Sequence, residues 1–159
     1  MLGKPLGAAQ LREYSGGIGP VDTMINYTPE QVYQVFDQLG EIGRSAYFRF
    51  ILLDLVYILI YVSFFLVGIN LFLRQLLPGK PPLHWIKLTP VLAGFADLGE
   101  GIGLLAILSS YPGRLLGVAQ VMNAFTLVKF TLFSLSTLFL FILIIWWAWD
   151  RVSKRKRLK

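Results

Sequence analysis

Apolar positions fall into three long runs, Phe50 to Leu73, Leu88 to Ser109 and about Thr126 to Trp149, separated by short polar or proline-rich breaks. The first holds about 24 residues, enough for ~30 Å of hydrocarbon at ~1.5 Å rise per residue. The pattern around the third extends back to Arg114, about 36 residues or ~54 Å as one straight helix. That exceeds a bilayer, so it divides into an outer segment, Arg114 to about Phe125, and a span, continuous or kinked where they join. Pro78-Gly79-Lys80-Pro81-Pro82 and Tyr111-Pro112-Gly113 end the first two runs, because proline lacks a donor and pushes its predecessor out of helical geometry.

Ahead of the spans, residues 1–27 lack a period and hold Gly16, Gly17, Gly19 and Pro20, so they predict an extended arm. The arm has no apolar h-region and carries Glu13, which argues against a secretory signal. Thr28-Pro29-Glu30-Gln31 supplies a cap hydroxyl, a proline at the first helical position and a glutamine placed to close a capping box. In the helix this starts, Val32, Val35, Phe36 and Leu39 recur at i, i+3, i+4 and i+7. The stripe predicts a docking helix, lying on a membrane surface or on a neighbouring subunit, and Gly40 ends it.

The expected fold is therefore all-α, a single membrane domain with three transmembrane helices. Its parts are the arm 1–27, an amphipathic helix 28–40, spans within helices 44–76 and 88–110, a long helix 114–150 containing the third span, and a basic tail 151–159.

Composition agrees: 55% of the 159 residues are hydrophobic, too many for a soluble domain of this size. The chain has no cysteine, which excludes disulfides, thiolate nucleophiles and cysteine-ligated zinc or iron–sulfur clusters. One histidine, His84, argues against haem or a multi-histidine metal site. No cofactor or metal is expected. The net charge of +6 comes from basic residues gathered beside apolar segments, which suits anionic lipid headgroups or partner subunits and not nucleic acid.

Lysine and arginine bias then orients the chain. Arg74, Lys80 and Lys87 follow the first span, and Arg151, Lys154, Arg155, Lys156, Arg157 and Lys159 follow the third, nine basic residues that share one side only if there are three spans. Trp85, Trp146, Trp147 and Trp149 form an aromatic belt on that side. The amino terminus is expected outside, in periplasm or intermembrane space, and the carboxyl terminus in cytoplasm or matrix. Arg74, Lys80, His84, Lys87 and the Lys154-Arg155-Lys156-Arg157 run are the expected headgroup contacts.

Asp54, Asp97, Glu100 and Lys129 lie inside apolar runs, where a charge costs roughly 2.5 to 3.5 kcal/mol and normally faces a bundle interior. Asp97 and Glu100, three apart, share a helix face and could divide acid and base roles, hold a proton or cation, or serve as bundle glue. Counted from the turn at Pro112, Lys129 is level with Asp97; counted from the inner ends of the first and third spans, it is level with Asp54. The two counts leave its partner open. Asp54 shares a near-heptad face with Tyr47, Tyr57, Tyr61 and Gly68, a relay or quinone-holding arrangement in one reading and interhelical hydrogen bonding in the other. Gly99 and Gly103 form G-x-x-x-G, with Gly94 and Gly101 nearby, and so predict close helix packing. The same pattern fails as a phosphate loop, since no strand precedes it and the lysine and hydroxyl are missing.

No family resemblance is specific enough to name. Because no catalytic signature surrounds the buried charges, the expected function is a non-catalytic structural or accessory subunit of a larger complex, in a respiratory, ATP synthase or similar bacterial or mitochondrial inner membrane. Its partners would be other membrane subunits and anionic lipids. The alternative is a small membrane enzyme or carrier for a lipid or quinone-like ligand, using Asp97, Glu100 and Lys129 with the Asp54 tyrosines. A proton or ion pathway ranks third, since three spans make a poor pore without oligomerisation.

Overall fold

Three helices in the structure are long and apolar enough to cross a membrane, each built on one of the hydrophobic runs. The structure, a computed structural model, describes residues 7–78 and 84–157, with side chains described for 7–78 and 85–154. It is 87% helical, with no strand among the described residues. The elements are α1 (Ala8–Tyr14), a 3-10 turn (Val21–Thr23), α2 (Pro29–Leu76), a second 3-10 turn (His84–Lys87), α3 (Leu88–Ser110) and α4 (Leu116–Arg157).

The capping box forms as the residues predict: Thr28 accepts from the Gln31 amide, and the Gln31 side chain accepts from the Thr28 amide at 2.8 Å. Gly40 breaks the helix geometry at φ 60°, ψ −172°, a left-handed conformation that costs glycine little. The helix resumes at once, so the amphipathic helix and the first span are two limbs of α2 joined by a kink, and no gap separates residue 40 from a helix beginning at 44. Arg44 reaches back across the kink and donates to the Phe36 carbonyl at 3.1 Å.

Three expectations are corrected. Over residues 7–27 the arm is not extended, because Gly16, Gly17 and Gly19 all take positive φ and reverse the chain, returning α1 and the Val21 turn onto α2; residues 1–6 lie outside the described residues. Ser15 Oγ accepts from the Gly19 amide at 2.8 Å inside that reversal. The Val32, Val35, Phe36 and Leu39 stripe is not a free docking face. All four residues are buried by the chain itself, among Leu11, Val21, Tyr27, Tyr47, Leu104, Ile107, Ala119 and Met122. The basic tail, lastly, is not separate from the long helix: α4 is one helix that runs on to Arg157.

The bundle thus has two cores. An outer core joins the arm and the first limb of α2 to the facing ends of α3 and α4. An inner core packs the spans on one another through Ile58, Phe65, Ile69, Leu73, Ala93, Leu140 and Leu143. Gly99 and Gly103 face α4: a Cβ on Gly99 would fall 2.9 Å from Phe125 Cζ, and one on Gly103 would overlap Met122. Gly94 faces α2, where a Cβ would lie 2.8 Å from Val62 Cγ2. The small-residue stripe therefore serves two helix contacts, since backbones can approach this closely only where no side chain stands between them. Asp97 and Glu100 lie along α3 between Gly94 and Gly103, so the close packing delivers them to the bundle interior.

Candidate functional site

Lys129 of α4 reaches both carboxylates of α3. Its Nζ lies 2.8 Å from Asp97 Oδ1 and 2.5 Å from Glu100 Oε2. One ammonium thus bridges two carboxylates one helical turn apart, and the partner that two depth counts left open is Asp97, with Glu100 added. Geometry explains the choice: α3 and α4 are joined by the short Tyr111–Leu115 connection, which fixes their register, whereas the loop between α2 and α3 is longer.

The Glu100 half is sealed. Its side chain is 1% exposed, and Thr126 Oγ1 donates to Oε1 while Tyr27 OH donates to the same oxygen at 3.3 Å. Tyr27 OH also lies 3.0 Å from Thr126 Oγ1, so its one proton is shared between that oxygen and Oε1. Tyr27 comes from the arm, and neighbouring bonds hold it there: its amide donates to Asn123 Oδ1 at 3.2 Å, and Asn123 donates to Asn26 at 3.0 Å. Burial pushes the Tyr27 phenol above its ordinary range, so it stays a neutral donor.

The Asp97 half opens on a cavity of about 570 Å³ lined by residues of the arm, α2, α3 and α4. Asp22 and Thr23 line it from the arm, Phe50, Leu53, Asp54, Tyr57 and Tyr61 from α2, Asp97 from α3, and Lys129, Phe130 and Phe133 from α4. Tyr61 OH donates to Asp97 Oδ2 at 3.2 Å, so this carboxylate is held by a phenol and an ammonium. Asp54 is half-buried on the same wall, and among the described residues no hydrogen bond or ion pair reaches its carboxylate.

Tyr47 ties the arm to α2 next to Asp22, which lines the cavity. This buried phenol accepts from the Val21 amide at 3.0 Å and donates to Asp22 Oδ1 at 3.0 Å. Burial raises the Asp22 carboxyl above the usual carboxylate range, against the attraction of Lys129 and the bond from Tyr47. Sequence reading placed Tyr47, Tyr57 and Tyr61 around Asp54, but the fold uses them separately. Tyr47 holds the arm, Tyr61 holds Asp97, and Tyr57 packs its ring on Tyr61 at 5.5 Å. Gly68, on the same line, lets α2 approach Leu140 of α4.

Asp22 and Tyr27 from the arm, with Thr126 of α4, are polar site residues the sequence did not single out. A capping box immediately downstream marks a helix start, but nothing local signals that the preceding chain folds back into the bundle.

Of the residues expected to contact headgroups, the described side chains Arg74, Lys87 and Lys154 do not line this cavity. Arg74 and Lys154 are exposed, Lys154 pairs with Asp150 at 2.6 Å, and Lys87 donates to Asn70 at 2.6 Å. Lys80 lies outside the described residues, as do the side chains of His84, Arg155, Lys156 and Arg157.

Among the described residues, no group of three or more histidine, cysteine, aspartate or glutamate side chains is arranged to hold a metal ion. The chain matches no known protein family, no curated protein and no solved structure.

Proposed function

We propose that this is an integral membrane protein that binds a small amphipathic molecule dissolved in the membrane, a lipid or quinone-like ligand, in the cavity beside Lys129. The observation that carries the reading is the cavity itself: about 570 Å³, mostly aromatic and apolar walls, and a few convergent polar groups at apolar depth. Ionisable groups inside a span mark a ligand or ion site by default. The Val32 stripe, buried against the arm, α3 and α4, does not add support to the accessory-subunit reading, which stays the second proposal.

Binding is tested on protein extracted directly into native nanodiscs, with the bound small molecules identified by mass spectrometry. The expected result is one amphipathic species, near stoichiometric, that is absent from Leu53→Trp protein, in which an indole occupies the half-exposed wall of the cavity. Wild-type and Leu53→Trp samples carrying the same lipids in the same amounts would overturn the proposal.

The proposed orientation follows the basic residues, with the arm outside and the end of α4 inside. Since the chain has no cysteine, Ile25→Cys and Val152→Cys, both at exposed positions, report the two sides separately. An impermeant thiol reagent applied from outside should label position 25 alone; labelling of position 152 would reverse the topology.

A further inference from the structure

The walls of the cavity are unbalanced in charge and in hydrogen-bonding capacity. Three carboxylates line it, Asp22, Asp54 and Asp97, against one ammonium, Lys129. Two of that ammonium's three protons are taken, one by Asp97 and one by Glu100 behind it, and its charge is already faced by two carboxylates. Of the two phenols, Tyr61 donates its proton to Asp97, which leaves Tyr57 as the donor free to meet a ligand from α2. Acceptors therefore exceed donors.

We infer that the ligand of this cavity is a lipophilic cation: an apolar body carrying an ammonium or similar monocationic head that sits against Asp54. This inference rests on the reading of the cavity as a ligand site. Low-dielectric walls strengthen the attraction between Asp54 and an entering cation relative to water. The aromatic lining adds to it. Phe50, Tyr57, Phe130 and Phe133 present rings to the space, and one of them already faces a cation, with Lys129 Nζ 5.4 Å from the centre of the Phe130 ring. The apolar body finds Leu53, Phe50 and Phe133.

The competing ligand chemistries fare worse on the same walls. An anionic head would face Asp22, Asp54 and Asp97, and among the described residues Lys129, already between two carboxylates, is the cation on the wall. A quinone brings two carbonyl acceptors to a wall already rich in acceptors, where Tyr57 and the remaining Lys129 proton are the donors left. Asp54 faces Asp22 from the arm, Tyr57 and Tyr61 from its own helix, Asp97 and Glu100 from α3 and Lys129 from α4. An entering monocation meets a net negative wall whichever of these carboxylates holds a proton, provided one beyond the pair on Lys129 is ionised.

The test uses the full-length protein in phosphatidylcholine nanodiscs, with empty nanodiscs as background, and three probes of similar apolar length: dodecyltrimethylammonium, dodecyl sulfate and decylubiquinone. Saturable binding of dodecyltrimethylammonium is expected, at least about ten-fold tighter than either other probe. Asp54→Asn should weaken it by about ten-fold or more with an unchanged melting temperature, Asp54→Glu should retain it, and Leu53→Trp should abolish it. If decylubiquinone or dodecyl sulfate binds as tightly and is blocked by Leu53→Trp, the cationic inference fails while the cavity remains a ligand site. Binding of the ammonium probe that survives both Asp54→Asn and Leu53→Trp lies elsewhere and overturns the inference. Saturable binding of none of the three overturns the inference and the cavity reading together.

Discussion

The two carboxylates on Lys129 have the same partner and opposite surroundings. Glu100 is closed in by Tyr27 and Thr126, with every contact supplied by the protein. Asp97 lies on the wall of a cavity, beside a second carboxylate, Asp54, that has no such contacts. The difference separates two uses of charge in an apolar bundle. A carboxylate closed in by the chain's own side chains fixes helix register, whereas Asp54, on the cavity wall with no hydrogen bond or ion pair among the described residues, remains available to something from outside.

The sharpest way to break this comparison is to remove the shared partner. Lys129→Met leaves Asp97 and Glu100 without a counter-charge and should cost about 3–5 kcal/mol, read as a fall in melting temperature in detergent. Adding Glu100→Gln should recover more of that loss than adding Asp97→Asn, because Glu100 is the sealed partner, and adding Asp54→Asn should recover none. Equal recovery by all three would mean that the two sides of Lys129 do not differ.

The sealed side depends on the outer core that holds the arm in place. Phe36→Ala should destabilise by about 3–4 kcal/mol through the cavity it leaves among Tyr47, Tyr111 and the arm, while Ile42→Ala, at a position 73% exposed, should stay within about 0.5 kcal/mol. A Phe36→Ala protein as stable as the wild type would return the stripe to the role of a docking face.

Smaller effects are expected where α3 meets α4. Gly103→Ala drives a methyl into Met122 and should cost about 1–3 kcal/mol, with a smaller loss in a Met122→Ala background. On the open side, Asp54→Asn should shift stability by less than about 0.5 kcal/mol, since among the described residues no hydrogen bond or ion pair reaches that carboxylate, while it removes ligand binding. A large stability loss from Asp54→Asn would place it with Glu100, as a structural charge.

Much of this architecture is local chemistry and could be read along the chain. Span length follows from the apolar runs, the start of α2 from the Thr28 and Gln31 pair, a break in helical geometry from Gly40, though not that the helix resumes at once, and the α3 end from Pro112, because each depends on residues within one or two helical turns. The four charges at apolar depth were legible for the same reason, as was the need for them to face inward. Their pairing was not: Lys129 and Asp97 are 32 residues apart, and depth counting alone gave Asp54 equal standing.

The sequence by itself determined the all-α class, three helices able to span a membrane, and which charges would need partners inside. Tertiary structure decided the partners, the destination of the Val32 stripe, the return of the arm over the cavity and the separate uses of the three tyrosines. The arm shows why. Tyr27 reaches Thr126, 99 positions away, and Val21 reaches Tyr47, 26 away, so these contacts depend on how the packed helices place their faces. Periodicity marks the apolar face of a helix, but the apolar surface that covers it comes from distant chain whose own pattern, in a glycine-rich segment without a period, carries no matching signal.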